Sequence, residues 1–249
     1  LKKQNKKSII EYYDRESPEA TEIRRLYSHI ARVPATDGEW IRSLAVTSST
    51  LGEGKSTLAS MLAISIADHA RKNVLLVDSD FRRPKIHEMF NLELGRGFSD
   101  ILAGDQSGET AVKGTPFTNL KIITAGRRHS NLSKILDRVR LKEFFDKAKH
   151  HFDYIILDCP PVIPVSDIID LSPEIDGVMM VIKAGQTPKE VTKRAVNLLQ
   201  NYGVKIVGLV LNDVERVLPY YYDYSYYHYR PTKPETKEKP IAKAREVKV

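Results

Sequence analysis

The residue types most able to do chemistry are concentrated in SSTLGEGKST, residues 48–57, where Gly52, Glu53 and Gly54 lead directly into Lys55, Ser56 and Thr57. Glycines can adopt backbone angles that turn successive N–H groups toward one anion, and a helix starting behind them adds the positive end of its dipole. A lysine at that point reaches the β and γ phosphates of a nucleotide, and the following serine hydroxyl ligates Mg²⁺. These six residues are therefore candidates for binding ATP. A tight strand-to-helix turn with a capping serine is the plainer alternative, and a GKS tripeptide alone is a weak signal; its position after an apolar run and before a helical pattern gives it weight.

Acids stand at the ends of two further apolar runs. VLLVDSD ends on Asp78 and Asp80, and YIILD ends on Asp158. A carboxylate in such a place is costly if buried and unpaired, so a cation, a basic partner or a water network is expected beside it. With a phosphate loop between the same strands, Mg²⁺ held mostly through water is the natural partner. Ser56, Asp78, Asp80 and Asp158 are the candidate ligands, although any single aspartate could instead cap a helix.

The elements that must hold these residues are legible as apolar runs at 43–49, 73–80, 120–126, 153–161, 177–185 and 204–213, alternating with helix-like segments at 56–68, 131–151 and 188–202. Continuous apolar strands separated by amphipathic helices predict an α/β fold, a doubly wound, mainly parallel sheet covered on both faces. In such folds the site lies at the carboxyl ends of the strands. The 249 residues suit one large α/β domain with tails. The expected division is a basic segment over 1–16, a nucleotide-binding domain over 17–218, a tyrosine cluster over 219–230 and a charged tail over 231–249.

A formal charge of +7 favours anionic partners, yet much of it lies in LKKQNKK at the start and KPETKEKPIAKAREVKV at the end. Solvated tails explain that charge as readily as a binding face. The basic residues form no stripe interleaved with aromatics, so no nucleic-acid partner is expected. Cys159 is the only cysteine, which excludes a disulfide framework and suits a reducing compartment. No apolar stretch approaches the ~18 residues of a spanning helix. The first residue is Leu, which fits a processed chain or the cytoplasmic part of a longer one.

One stretch resists any reading as core. YYYDYSYYHYR, residues 220–230, holds seven of the chain's twelve tyrosines with no periodicity that would bury them together. Taken with SSTLGEGKST, VLLVDSDFRRP and IILDCPP in that order, it resembles the bacterial tyrosine kinases of polysaccharide export, a P-loop family related to MinD and ParA. The motifs match that family's Walker A, Walker A′ and Walker B. The resemblance runs from about Ser17 to Arg230 and implies an ATP- and Mg²⁺-dependent autokinase.

The phospho-acceptors it implies are Tyr220, Tyr221, Tyr222, Tyr224, Tyr226, Tyr227 and Tyr229, modified in trans within an oligomer. It also implies that Lys55 neutralises phosphate charge. Asp78 or Asp80 orients or deprotonates the incoming hydroxyl, with Asp78 preferred, and Asn212 contacts adenine or merely ends its strand. The implied partners are a transmembrane adaptor with an activating cytoplasmic tail, further copies in a ring of up to eight, and a cognate tyrosine phosphatase. The implied place is cytoplasmic, at the inner face of the membrane.

Two departures from the family pattern stand out. The helix that carries E-x-x-R-x-x-R-T-N-I at the ring interface reads TEIRRLYSHI at 21–30, matching only at Arg24 and Ile30, with Glu22 and Arg25 at neighbouring positions. Ser49 stands where a Gly or Ala usually opens Walker A. The rival readings are a ParA- or MinD-type switch ATPase, whose second loop lysine is here Thr50, and a catalytically weak scaffold in an export complex.

Overall fold

A computed structural model describes residues 8–35, 38–104, 111–129 and 132–214. The tyrosine cluster and the charged tail lie outside these described residues. Seven strands, β1 (Ser43–Ser48), β2 (Val74–Asp78), β3 (Val112–Gly114), β4 (Leu120–Ile123), β5 (Tyr154–Asp158), β6 (Gly177–Lys183) and β7 (Ile206–Asn212), form one sheet in the order β3-β4-β2-β5-β1-β6-β7. Every pairing is parallel except β3 with β4. The doubly wound, mainly parallel sheet expected from the apolar runs is the observed fold.

Alternation along the central strands divides the core in two. Ala45, Leu75, Val77, Ile155, Leu157 and Met180 face one cluster of buried side chains, beneath α5 (Phe98–Leu102), α7 (Arg138–His151), α8 (Asp167–Leu171) and α9 (Lys189–Asn201). Leu44, Val46, Leu76, Ile156 and Met179 face the other, beneath α2 (Pro18–Ile30) and α3 (Lys55–Asp68). Both faces of β1 and β2 are thus covered, which is why those strands read as unbroken apolar runs.

The three helices seen in the sequence are present with altered bounds. The segment expected as one helix from 131 to 151 is two, α6 (Leu132–Ile135) and α7, because Asp137 adopts extended backbone and its carboxylate accepts from the N–H groups of Val139 and Arg140. An N-cap with that geometry starts a new helix whatever the apolar spacing around it. Two short helices, α1 (Ile9–Tyr12) and α4 (Ile86–Met89), complete the described set. No helix among the described residues is long and apolar enough to cross a membrane.

Candidate active site

The strand order brings the carboxyl ends of β1, β2 and β5 side by side, since β5 pairs with both β1 and β2. Beyond β1 the chain enters the glycine loop, where Gly52 and Gly54 have φ of 80° and 95°. Gly54 is the N-cap of α3 and offers no side-chain cap, so the first-turn N–H groups are left for an incoming acceptor. At Gly54 a side chain would be strained by the positive φ and would push against the Asn212 amide, which would have to shift.

Asn212 and Glu53 hold the loop from within. The Asn212 amide donates to the Glu53 carbonyl at 3.0 Å. The Glu53 side chain, only 2% exposed, turns back on its own loop, accepting from the Thr50 N–H at 2.8 Å and from the Thr187 hydroxyl. Asn212 is the last residue of β7, and the structure places its amide on the loop backbone. Thr187 escaped sequence analysis; it belongs to no motif, and its partner is 134 residues away.

Lys55 gathers the acids. Its Nζ lies 3.0 Å from Asp80 Oδ2, 3.3 Å from Asp158 Oδ1 and 3.3 Å from Ser56 Oγ. Asp78 is held differently: Oδ1 accepts from the Asp80 N–H, and Oδ2 accepts from the N–H groups of Lys85 and Ile86, which fixes the turn leading into α4. Asp80 Oδ1 accepts from the Arg83 N–H at 3.0 Å. Ser79, also unremarked in the sequence, ties the two strand ends together by donating to the Asp158 carbonyl at 2.8 Å.

One ammonium shared by several buried carboxylates leaves the site short of positive charge. Burial, reinforced by the neighbouring Asp158, raises the Asp78 carboxyl to about 8 against three backbone donors. Burial also raises Asp158, although Lys55 and Ser56 act against it. Lys55 itself is raised, because Asp158 and Asp80 outweigh a burial that by itself would lower it. Asp158 Oδ2 is buried with no hydrogen-bond partner.

That orphaned oxygen is where a hard cation fits. Asp158 Oδ2, the Ser56 hydroxyl and the nearby Asp80 carboxylate supply the oxygen donors that Mg²⁺ accepts, in the small number it uses when it keeps several waters. Among the described residues no three His, Cys, Asp or Glu side chains are grouped as an all-protein metal centre. Lys55, Ser56, Asp80 and Asp158 are therefore brought together, while Asp78, the strand partner of Asp158, has both oxygens engaged by backbone N–H groups. Thr57 lies in the first turn of α3. The tyrosines from Tyr220 to Tyr229 lie outside the described residues.

A family model described as an AAA domain matches residues 41–200. Over 213 residues the chain is 33% identical to the tyrosine-protein kinase YwqD of Bacillus subtilis (strain 168), covering 83% of this chain and 89% of that protein. The tyrosine-protein kinase ptk of Acinetobacter johnsonii is 35% identical over 164 residues, covering 66% of this chain and 22% of that longer protein. The solved kinase domain of the Escherichia coli tyrosine kinase ETK superposes with a TM-score of 0.70 at 29% identity, over 76% of this chain and 73% of that one. MinD of Pyrococcus horikoshii, solved with Mg-ADP, shares the fold at a TM-score of 0.58 and 23% identity, over 70% and 71% of the two chains.

Proposed function

Because this chain belongs to the family of bacterial P-loop tyrosine-protein kinases, we propose that it transfers the γ-phosphoryl group of ATP to the tyrosines of its own C-terminal cluster, in trans within an oligomer, and thereby regulates polysaccharide synthesis or export. The observation that carries the reading is Lys55 Nζ held between Asp80 Oδ2 and Asp158 Oδ1 behind a glycine loop.

Phosphoryl transfer through a loose transition state asks a protein mainly for positioning and charge neutralisation. Lys55 turns from its two carboxylates to the β and γ phosphates, and the N–H groups from Gly52 to Thr57 surround those oxygens. Mg²⁺ held there would supply neutralisation of the charge that develops on the transferred phosphoryl group. Ser56, Asp80 and Asp158 would hold it. A tyrosine hydroxyl with an ordinary pKa near ~10 keeps its proton at neutrality and gains from a carboxylate beside it. Asp78 or Asp80 is the candidate for that base, with Asp78 preferred by its place in the motif and fixed by three backbone N–H groups; in the cation-free chain burial beside Asp158 keeps it protonated, so the role requires a bound cation to draw it down. Glu53 and Asn212 brace the loop from within, through the Thr50 N–H and the Glu53 carbonyl.

The same reading makes 17–218 the kinase unit and 219–230 the acceptor segment. It takes a transmembrane adaptor as activator, placing the kinase at the inner face of the membrane. A tyrosine phosphatase resets the tail. The test is incubation with Mg²⁺ and ATP, with and without an adaptor tail, and mass spectrometry of the 219–230 peptide. Phosphate should appear on Tyr220 to Tyr229 and its rate should fall by about 10³ in Lys55→Met. Supplying the Lys55→Met chain as acceptor to an active chain whose tail tyrosines are Phe tests transfer in trans. A tail that stays unmodified while ATP binds would favour the switch ATPase or the scaffold.

A further inference from the structure

A phosphate loop is an unpromising place for a buried acid, yet Glu53 stands between Gly52 and Gly54 with only 2% of its surface exposed. A carboxylate free to turn among the N–H groups of this loop would compete with phosphate for them and repel it. The chemistry proposed above has no use for that charge. Lys55, two residues on, does not offset it, since its Nζ lies with Asp80 and Asp158.

Both Glu53 oxygens are held by the chain instead. Oε2 accepts from the Thr50 N–H at 2.8 Å, and Oε1 accepts from the Thr187 hydroxyl. Thr187 lies in the turn between β6 and α9, where its N–H donates to the Lys183 carbonyl at 3.0 Å and its hydroxyl oxygen accepts from the Lys183 N–H at 3.2 Å. A hydroxyl has one proton; with its oxygen already accepting from Lys183, that proton is left for Glu53. The next residue closes the circuit. The Ala184 N–H donates to the Asn212 carbonyl at 2.8 Å, and the Asn212 amide donates to the Glu53 carbonyl at 3.0 Å. Hydrogen bonds therefore run in a ring from the Glu53 side chain through Thr187, Lys183, Ala184 and Asn212 back to the Glu53 backbone.

We propose that Thr187 is a positioning residue for nucleotide binding, whose hydroxyl holds the Glu53 charge away from the phosphates and so leaves the loop N–H groups open to them. This rests on the nucleotide-binding part of the function above and not on transfer to tyrosine. Valine has the shape of threonine without the donor. In Thr187→Val one oxygen of a buried carboxylate loses its partner, which is costly where water is excluded. The carboxylate then turns to the donors nearest it, the loop N–H groups that a phosphate would use. The loop holds the phosphates before and after transfer alike, so ATP and ADP weaken together, and KM rises while kcat holds.

The experiment is calorimetric titration of the full chain with Mg-ADP, which needs no turnover. Thr187→Val should weaken binding about tenfold, while Thr187→Ser, which keeps the hydroxyl, should stay within about twofold of wild type. Adding Glu53→Gln to Thr187→Val should recover most of the lost affinity, because it removes the charge that the valine sets free. A role in packing alone would leave the double variant no better than the single one. In the kinase assay the KM for ATP should rise by the same factor, with kcat within about twofold. Wild-type affinity in Thr187→Val, a serine variant as weak as the valine, a double variant no better than the single, or a fall confined to kcat each overturns the proposal. Thr187→Ala takes the place of the valine variant if that chain does not fold. A wild-type chain that binds no Mg-ADP removes the nucleotide site and this role with it. One that binds Mg-ADP while its tail stays unmodified removes only the kinase reading, and the titrations still decide the role of Thr187.

Discussion

The two ends of the same central strands treat their carboxylates in opposite ways. At the amino end of β1, Asp176 accepts from the N–H groups of Arg42 and Ser43 and from Lys149 Nζ, each at 2.8 Å. Burial alone would raise that carboxyl, but the Lys149 bond and the two backbone donors outweigh it and hold it below the usual range. At the carboxyl end, Asp158 is fully buried, shares Lys55 with Asp80, keeps one oxygen without a partner and is raised. One end is electrostatically complete within the chain. The other is short of positive charge, and that deficit is of the kind a divalent cation would supply.

Removing one acid from each end tests that contrast most severely. Asp158→Asn should cut tail phosphorylation by about 10²–10³, the usual cost of losing one electrostatic contact at a phosphoryl-transfer site, while changing the stability of the nucleotide-free chain by less than about 1 kcal/mol, because a poorly matched charge is removed. Asp176→Ala should do the reverse. It strands Lys149 and two N–H groups, which lowers stability by about 2–3 kcal/mol in denaturant melts, and kinase activity well below the melting temperature should stay within about twofold. Equal destabilisation by the two substitutions would remove the distinction.

Acidity separates the two ends next. Asp78, raised from 3.8 to about 8, keeps its proton in the folded chain across a window in which the unfolded chain has released it. The folded state binds more protons there, so its stability falls as pH rises from about 4 to 8. Asp176 and Asp100 are lowered; their contribution is complete above the unfolded value of 3.8 and is lost as pH falls through their folded values. His87, lowered by burial, adds a term of opposite sign near neutrality, so the comparison is between variants at each pH. The melting temperature of Asp78→Asn minus that of wild type should grow from pH 5 to 8. A constant difference would show that Asp78 is ionised when folded.

What the sequence made legible was whatever depends on local order. The glycine loop, the acids after β2 and β5 and the two-faced sheet each declare themselves within about ten residues, because apolar runs and strand-end motifs are local patterns. The break at Asp137 was hidden because apolar spacing continues through Leu132, Leu136 and Leu141 on both sides of it. β3 is three residues long and largely exposed, so no apolar run announces it. The inward turn of Glu53 and the Asn212 contact depend on partners 134 and 159 residues distant. Such contacts follow from strand order, which periodicity does not encode.

The smallest effect concerns α2, and it sharpens the comparison by adding a surface that carries charge in neither of these two ways. Arg24, which matches the family's interface motif by position, is already engaged, donating to the Arg15 carbonyl at 2.6 Å and to Thr21 Oγ1 at 2.8 Å. Arg25 pairs with Glu22 at 2.6 Å on an open helix face, with side chains 68% and 41% exposed. An exposed i,i+3 pair contributes under about 0.5 kcal/mol, so Arg25→Ala should barely move the melt. If the oligomer proposed above uses this helix, the same substitution should lower its mass in light scattering, because a guanidinium already in solvent can exchange Glu22 for an acid on a neighbouring copy at little cost. Arg24→Ala should affect the melt more than the mass. Loss of mass in Arg24→Ala alone would return the interface to the position the family motif marks, and mass unchanged in both would take α2 out of the interface altogether.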